Sequence, residues 1–253
     1  MISIRLITTL FAAALLAACA GGGERRDAGE PGERTTRQAE INTQLGAGYL
    51  RRGEYRAALE KLNKALNFDE GYAPAHSTLA ILYEQIGEID KAEKHHRRAV
   101  RLAPDDANAQ NNFGAFLCKA GKYREAEPYF LKAARNPFYQ TPAVALVNAG
   151  TCLLKIPDRT AAERYLREAV AIDPGLRDAL FELARLNYEN GEALSARAFL
   201  QRYQAAGGEA PAALLLGYRI EERLGAQDLA AQYAERLRRL YPDSPQAAEV
   251  ERR

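Results

Sequence analysis

Residues 44–50 read Gln44-Leu45-Gly46-Ala47-Gly48-Tyr49-Leu50, and the pairing of a large apolar residue with a small one returns 34 residues later as Leu79-Ala80 and again as Phe113-Gly114. A second small residue keeps the same step, at Ala58, Ala92 and Ala126. A fixed period of this size marks helix pairs that cannot bury their apolar faces alone and must stack on neighbours. The expected fold is therefore all-α, an α-α solenoid.

Working outward, units begin near Ala39, Ala73, Ala107, Ala143, Arg177 and Ala210, giving six spans: 39–72, 73–106, 107–142, 143–176, 177–209 and 210–242. The large-small pair continues as Ala149-Gly150, Leu183-Ala184 and Leu216-Gly217, and its small member lets the two helices of a unit approach closely. About one turn further come Tyr49, Tyr83, Leu117, Leu153, Tyr188 and Ile220, a stripe on the same face that reads as core. Gly53, Gly87, Gly121, Gly191 and Gly225 suit left-handed caps at the ends of first helices, and the fourth unit has Pro157 instead. Second helices carry Ala58, Ala92, Ala126, Ala162, Ala196 and Ala230 or Ala231; Pro104, Pro174 and Pro242 close three of them.

These residues resemble the tetratricopeptide repeat (TPR) pattern over 39–242, which implies a superhelix of six helix-turn-helix repeats. The departures are specific. Glu70 stands where the first unit should have Pro, and the segment Asn136-Pro137-Phe138-Tyr139-Gln140-Thr141-Pro142 stretches the third period to 36. Its aromatic pair, Phe138 and Tyr139, is either a contact surface or a loop folding its own apolar residues against the turn. Residues 243–253 read as a short polar end cap, which terminal repeats require.

The chain opens differently. Arg5 precedes an apolar run from Leu6 to Ala18, the layout of a secretory signal over 1–18 and too short for a bilayer span. The run closes as Leu16-Ala17-Ala18-Cys19, which resembles the lipobox of bacterial lipoproteins and implies a multi-chain lipid anchor on Cys19. Ala20 is not the Asp associated with inner-membrane retention in that class, so the expected location is the outer membrane, lipid-anchored and facing the periplasm. Residues 19–38 then hold three successive glycines, Pro31 and alternating Arg and Glu without a large apolar side chain. They read as a flexible tether with a reach of roughly 25 Å.

Composition narrows function further. The chain is 47% hydrophobic and 27% charged with a formal net charge of +2, which points to a globular protein and away from a nucleic-acid partner. His76, His95 and His96 lack metal-ligand spacing, and there is neither a phosphate-cradling glycine loop nor a GxSxG elbow, so no enzyme, cofactor or metal is expected. His95 and His96 are adjacent and point to different faces, so at most one is expected in a seam between helices. Cys118 and Cys152 lie on first helices of neighbouring units; the register puts Cys118 on the concave side and Cys152 on a more buried side, which argues against a bridge.

A stack of this kind presents an inner surface lined by first helices, the usual place for a bound peptide. The register places there Thr43, Ala47 and Leu50, then Ser77, Ile81 and Glu84, then Asn111, Ala115 and Cys118, then Val147, Thr151 and Leu154, with Phe181, Arg185 and Glu189 in the fifth unit. The first four sets are mostly apolar or neutral, so an apolar partner segment is expected. The Lys-and-Asn clamp of chaperone-tail binders is missing.

Gln44 to Leu50 with Arg52-Gly53, Asn111-Asn112-Phe113-Gly114-Ala115-Phe116-Leu117 with Tyr123 and the 136–139 linker, and Leu214-Leu215-Leu216-Gly217 with Arg238-Arg239-Leu240-Tyr241-Pro242 resemble the type IV pilus biogenesis and stability lipoproteins, the PilW/PilF family. That resemblance implies an outer-membrane pilotin, without catalytic residues, that helps the pilus secretin reach the outer membrane and multimerise, with other pilus-assembly proteins as further partners. The alternative is a TPR lipoprotein scaffold for another envelope machine, in outer-membrane protein insertion or cell-wall synthase regulation.

Overall fold

The computed structural model describes residues 31–251, and all secondary structure among them is helical. The signal segment 1–18, Cys19 and residues 20–30 lie outside the described residues. Six antiparallel pairs follow one another: α1 (Pro31–Arg51) with α2 (Tyr55–Phe68), α3 (Ala73–Gln85) with α4 (Ile89–Leu102), α5 (Ala107–Lys119) with α6 (Tyr123–Ala134), α7 (Pro142–Leu153) with α8 (Arg159–Ile172), α9 (Arg177–Glu189) with α10 (Ala193–Ala205), and α11 (Pro211–Arg223) with α12 (Gln227–Leu240). A short α13 (Pro245–Glu251) closes the stack by burying Ala247 and Val250 beside Leu214 and Leu237. The polar end is thus also an apolar lid.

The small residues act as the sequence implies. A Cβ on Gly46 would sit 2.6 Å from Leu62 Cγ, on Gly114 2.9 Å from the Phe130 ring, and on Gly150 2.7 Å from Leu166 Cγ. No real Cβ sits that close, so hydrogen at these positions sets the helix-helix distance. The turns that follow need a left-handed residue: Gly53 has φ 75°, and the N–H groups of Gly53 and Glu54 cap Leu50 O and Tyr49 O. Gly87, Gly121, Gly191 and Gly225 repeat that geometry. The fourth unit ends its first helix through Lys155 and Ile156, which donate to Cys152 O and Leu153 O ahead of Pro157.

Two expectations change. The tether was expected to reach Gln38, yet α1 begins at Pro31. Pro at the first position has its φ preset for a helix, Arg, Glu and Gln are good helix formers, and the Thr35 and Thr36 hydroxyls bond back to Gly32 O. A polar composition there describes an exposed helix as well as a coil. In the fifth unit the core stripe falls on Asn187, which is buried and donates its side-chain N–H to Leu183 O, while Tyr188 is half-buried. The stripe sits three residues after the small residue in every other unit, and three after Ala184 is Asn187.

Core packing is uneven. The main apolar cluster runs from Ala92 to Ile220 and includes Phe113, Phe130, Leu153, Leu166 and Leu183. The first unit is outside it, sharing a separate cluster of Ala58, Leu62, Leu79 and Leu82 with α3. First helices of successive units touch one another, as α1 with α3, α5 with α7, α7 with α9 and α9 with α11. They form the inner wall of the stack.

Candidate functional site

Three notches open along the wall of the first four units, each built from the end of one first helix, the start of its second helix and, on the far side, the next unit. Ala47, Leu50 and Ile81 meet beside Tyr55 in the first, of about 650 Å³. Glu84, Ile89 and Phe116 frame the second, of about 390 Å³. Ala115, Cys118 and Thr151 meet beside Tyr123 in the third, of about 340 Å³. Tyr55, Ile89 and Tyr123 each open a second helix, 34 residues apart, and they turn separate depressions into one repeating row. Sequence reasoning confined to first helices missed them, although their period was visible. The fourth, fifth and sixth units have Arg159, Ala193 and Gln227 there.

Most expected groove residues face this row, with exceptions. Ala47, Leu50, Ser77, Ile81, Glu84, Asn111, Ala115, Cys118, Thr151 and Leu154 are half-buried. Thr43 and Val147 are only 6% exposed and offer no groove surface. Thr43 is turned inward, its hydroxyl bonded to Ala39 O at 2.8 Å, and Val147 belongs to the main core. Asn111 Oδ1 accepts from Asn148 Nδ2 at 3.0 Å, tying the third unit to the fourth across the wall.

Cys118 and Cys152 are joined as a disulfide with their Cα atoms 5.8 Å apart, against the expectation of separate faces. The reason is the side-by-side packing of α5 and α7. Cys118 lies on the flank of α5 that meets α7, so a residue on the rim of one helix reaches a buried residue of the next. Cys118 therefore serves both as notch wall and as covalent tie.

The histidines also depart from expectation, since both neighbours are engaged. His96 is buried, donates to Glu84 Oε1 of its own first helix at 2.8 Å and stacks on Phe113 of the next unit. His95 faces its own first helix, with Nδ1 2.9 Å from His76 Nδ1 and its ring against Tyr83. A second helix in a solenoid has two covered flanks, so adjacent residues can both be inside. His76 Nε2 meets the Glu70 carbonyl, which only accepts, so His76 carries its proton on Nε2 and His95 donates from Nδ1. Burial and the neighbouring His76 push His95 down to about 4, and burial lowers His76 despite its bond to Glu70. Burial works against ionisation of Glu84, but the His96 hydrogen bond and the Lys119 charge hold it below the ordinary carboxylate range. Glu84 is thus a committed strut between the second and third units.

In the stretched linker the two aromatic residues divide the roles that the sequence left open. Tyr139 packs with Ala107, Ala133 and Ala145. Phe138 is 85% exposed, held out by an Asn136 side chain that accepts from Phe138 N and donates to Asp105 O. Among the described residues no three His, Cys, Asp or Glu side chains gather as metal ligands, and no helix is long and apolar enough to cross a membrane.

Tetratricopeptide repeat models match residues 49–115, 107–135 and 147–211. The chain is 34% identical over 203 residues to the type IV pilus assembly protein PilF of Pseudomonas aeruginosa, covering 79% of this chain and 80% of the relative. The solved structure of PilW, a type IV pilus biogenesis factor, superposes with a TM-score of 0.73 at 33% identity, covering 84% of this chain and 97% of that one. The solved P. aeruginosa PilF superposes with a TM-score of 0.77 at 30% identity, covering 86% and 98%.

Proposed function

Because the chain belongs to the type IV pilus biogenesis family of TPR proteins that includes PilF and PilW, we propose that it serves pilus assembly as a pilotin. In this reading Cys19 carries the lipid that anchors it on the periplasmic side of the outer membrane. The wall of the first four units holds a segment of the secretin subunit and promotes its outer-membrane delivery and multimerisation, without catalysis. The observation that carries the reading is the row of three apolar-sided notches, set in a chain of this family. A row at one-repeat spacing suits an extended or helical segment that offers an apolar side chain to each notch. Several acyl chains at about 0.8 kcal/mol per buried methylene make such an anchor durable.

Two variants test it. Cys19→Ser is expected to yield a folded periplasmic protein and secretin multimers that fail to reach the outer membrane; normal multimers there would sink the anchored role. Ala47→Arg with Ala115→Arg puts a guanidinium into the first and third notches, and is expected to keep full helicity while losing co-purification of secretin. Undiminished secretin capture by that variant, or a cross-linked pull-down returning a cell-wall synthase instead, overturns the groove assignment.

A further inference from the structure

At the open end of the stack, α1 exposes a face that the next four first helices bury. Arg34, Gln38, Ile41, Leu45, Gly48 and Arg52 follow one another at alternating steps of four and three residues, so they form one narrow seam along the helix and its end. Ile41 and Leu45 at its centre are 42% and 47% exposed. Their counterparts 34 residues on, Ala75 and Leu79, are fully buried, as is Leu82 in the place of Gly48. The same three positions are at most 2% exposed in every unit from the second to the fifth. In those units the preceding helix pair covers the seam. For α3 the cover is chiefly α2, which clusters Ala58 and Leu62 with Leu79, and Ala65 with Ala75. The far end of the stack is covered by α13, whereas nothing among the described residues covers Ile41 and Leu45.

The seam selects its cover by width and by charge. A line spaced four and three is as wide as one facing helix, and narrower than the apolar arc with which a helix lies in a bilayer surface. A second copy of this chain brings like charges together at both ends. Paired parallel, it sets Arg34 against Arg34 and Arg52 against Arg52; paired antiparallel about Ile41 and Leu45, it sets Arg34 against Arg52. The nearby carboxylates lie off the seam: Glu54 beside Arg52, and Glu33 and Glu40 on one flank, where Glu40 accepts from Gln44 Nε2. With the leader 1–18 removed, as proposed above, residues 19–30 ahead of α1 hold no large apolar side chain to lay on the seam.

We propose that the open face of α1 is a second partner site, which takes an amphipathic α-helix of another protein with an apolar middle and carboxylates at both ends of its seam. The bound helix takes the place of the second helix of a preceding unit. Its apolar middle covers Ile41 and Leu45, and its acidic ends meet Arg34 and Arg52. The site rests on the processing at Cys19 only in that the leader is gone, and it does not depend on what the first-helix wall binds.

The test uses fluorescence anisotropy of the chain without residues 1–18 and with Cys19→Ser, which keeps every described residue. The probe is a fluorescein-labelled helical peptide, Glu-Ala-Lys-Ala-Leu-Lys-Gln-Leu-Ala-Glu-Lys-Leu-Ala-Ala-Leu-Lys-Gln-Ala-Glu, and its twin has lysine in place of the two terminal glutamates. The acidic probe should bind saturably below about 1 mM, and the twin at least about tenfold more weakly. Ile41→Gln with Leu45→Gln should weaken the acidic probe about tenfold or more at unchanged helicity, and Arg34→Glu should narrow or reverse the preference over the twin. Ala47→Arg with Ala115→Arg should leave the affinity alone. No saturable binding, binding indifferent to the Ile41 and Leu45 changes, or loss through the Ala47 and Ala115 changes overturns the assignment. So does a dimer in sedimentation equilibrium, or co-sedimentation with phosphatidylglycerol vesicles, that Ile41→Gln with Leu45→Gln abolishes. Mass spectrometry of the protein extracted from cells reports the loss of residues 1–18 separately. An intact leader there overturns the premise of an open face even where the probe binds, so a failed premise and a failed site are told apart.

Discussion

Removing the Cys118–Cys152 bond is the sharpest test of how the stack is held. The bridge closes a loop of 34 residues that spans the junction of the third and fourth units, where the repeat period is longest. Loop-closure entropy for that length gives about 3.8 kcal/mol of stabilisation at 25 °C. For a chain of this size that corresponds to a melting temperature lower by roughly 8–15 °C. Cys152 is buried, so serine there would add an unpartnered hydroxyl; alanine at both positions is the cleaner change. The assay is urea unfolding followed by far-UV circular dichroism, with and without a phosphine reductant, on the natural chain and on Cys118→Ala with Cys152→Ala. The natural chain should lose most of the 3.8 kcal/mol on reduction, because Cys118 is accessible from its notch. The alanine pair should match the reduced chain and ignore the reductant. Neighbouring units couple only to each other, so the transition should also broaden when the tie is gone. A loss under about 1 kcal/mol in the natural chain, or a reductant response in the alanine variant, would refute the reasoning.

Three further outcomes follow from the packing. Gly114→Val sets its Cβ 2.9 Å from the Phe130 ring and should cost about 1–3 kcal/mol in thermal unfolding; a wild-type melting curve would mean the helices separate freely there. Arg197→Ala strands the buried Glu221 carboxylate, which Arg197 grips with two nitrogens, and should cost about 2–3 kcal/mol, the lower side of buried-pair losses because Arg197 keeps 27% of its side-chain surface. Exchanging both residues for leucine should restore much of that, and a double variant as weak as the single one contradicts the argument. His76 and His95 are held neutral in the folded chain, so the unfolded chain binds more protons below its own histidine range: stability should be full above about pH 6.5 and fall as pH drops toward 4. His95→Gln should flatten that slope in pH-dependent urea midpoints, and an identical slope in both proteins rules the pair out as its source.

Sequence made the architecture legible because its signals are local and repeated. Six small residues at steps of 33 to 36 and five glycine turns each answer a one-unit constraint; all six small residues are buried and all five glycines have positive φ. The misreadings are of a different kind. Whether Cys118 meets Cys152, or whether His95 and His96 are both covered, depends on how one helix is staggered against the next, and no intra-unit period encodes that. The Thr43 and Val147 positions turned inward for the same reason, since the edge of a groove is set by its neighbours. The slip from Asn187 to Tyr188 came from preferring an aromatic side chain over the count of residues. Tyr55, Ile89 and Tyr123 were legible throughout, and only attention to first helices hid their part in the notches.

The uneven core has a mechanical consequence. α7 buries Leu146, Val147, Cys152 and Leu153, whereas the buried positions of α1 are Ala39, Asn42, Thr43 and Gly46. In a one-dimensional stack each unit is held by its own pair and its neighbours, and an end unit has a single neighbour. The stack is therefore graded in stiffness, with a yielding N-terminal end and a rigid middle pinned by sulfur. Amide exchange should begin in α1 and stop short of α5. Any load applied at the first notch would bend the compliant end while the far units keep their shape, as the free tip of a clamped spring does.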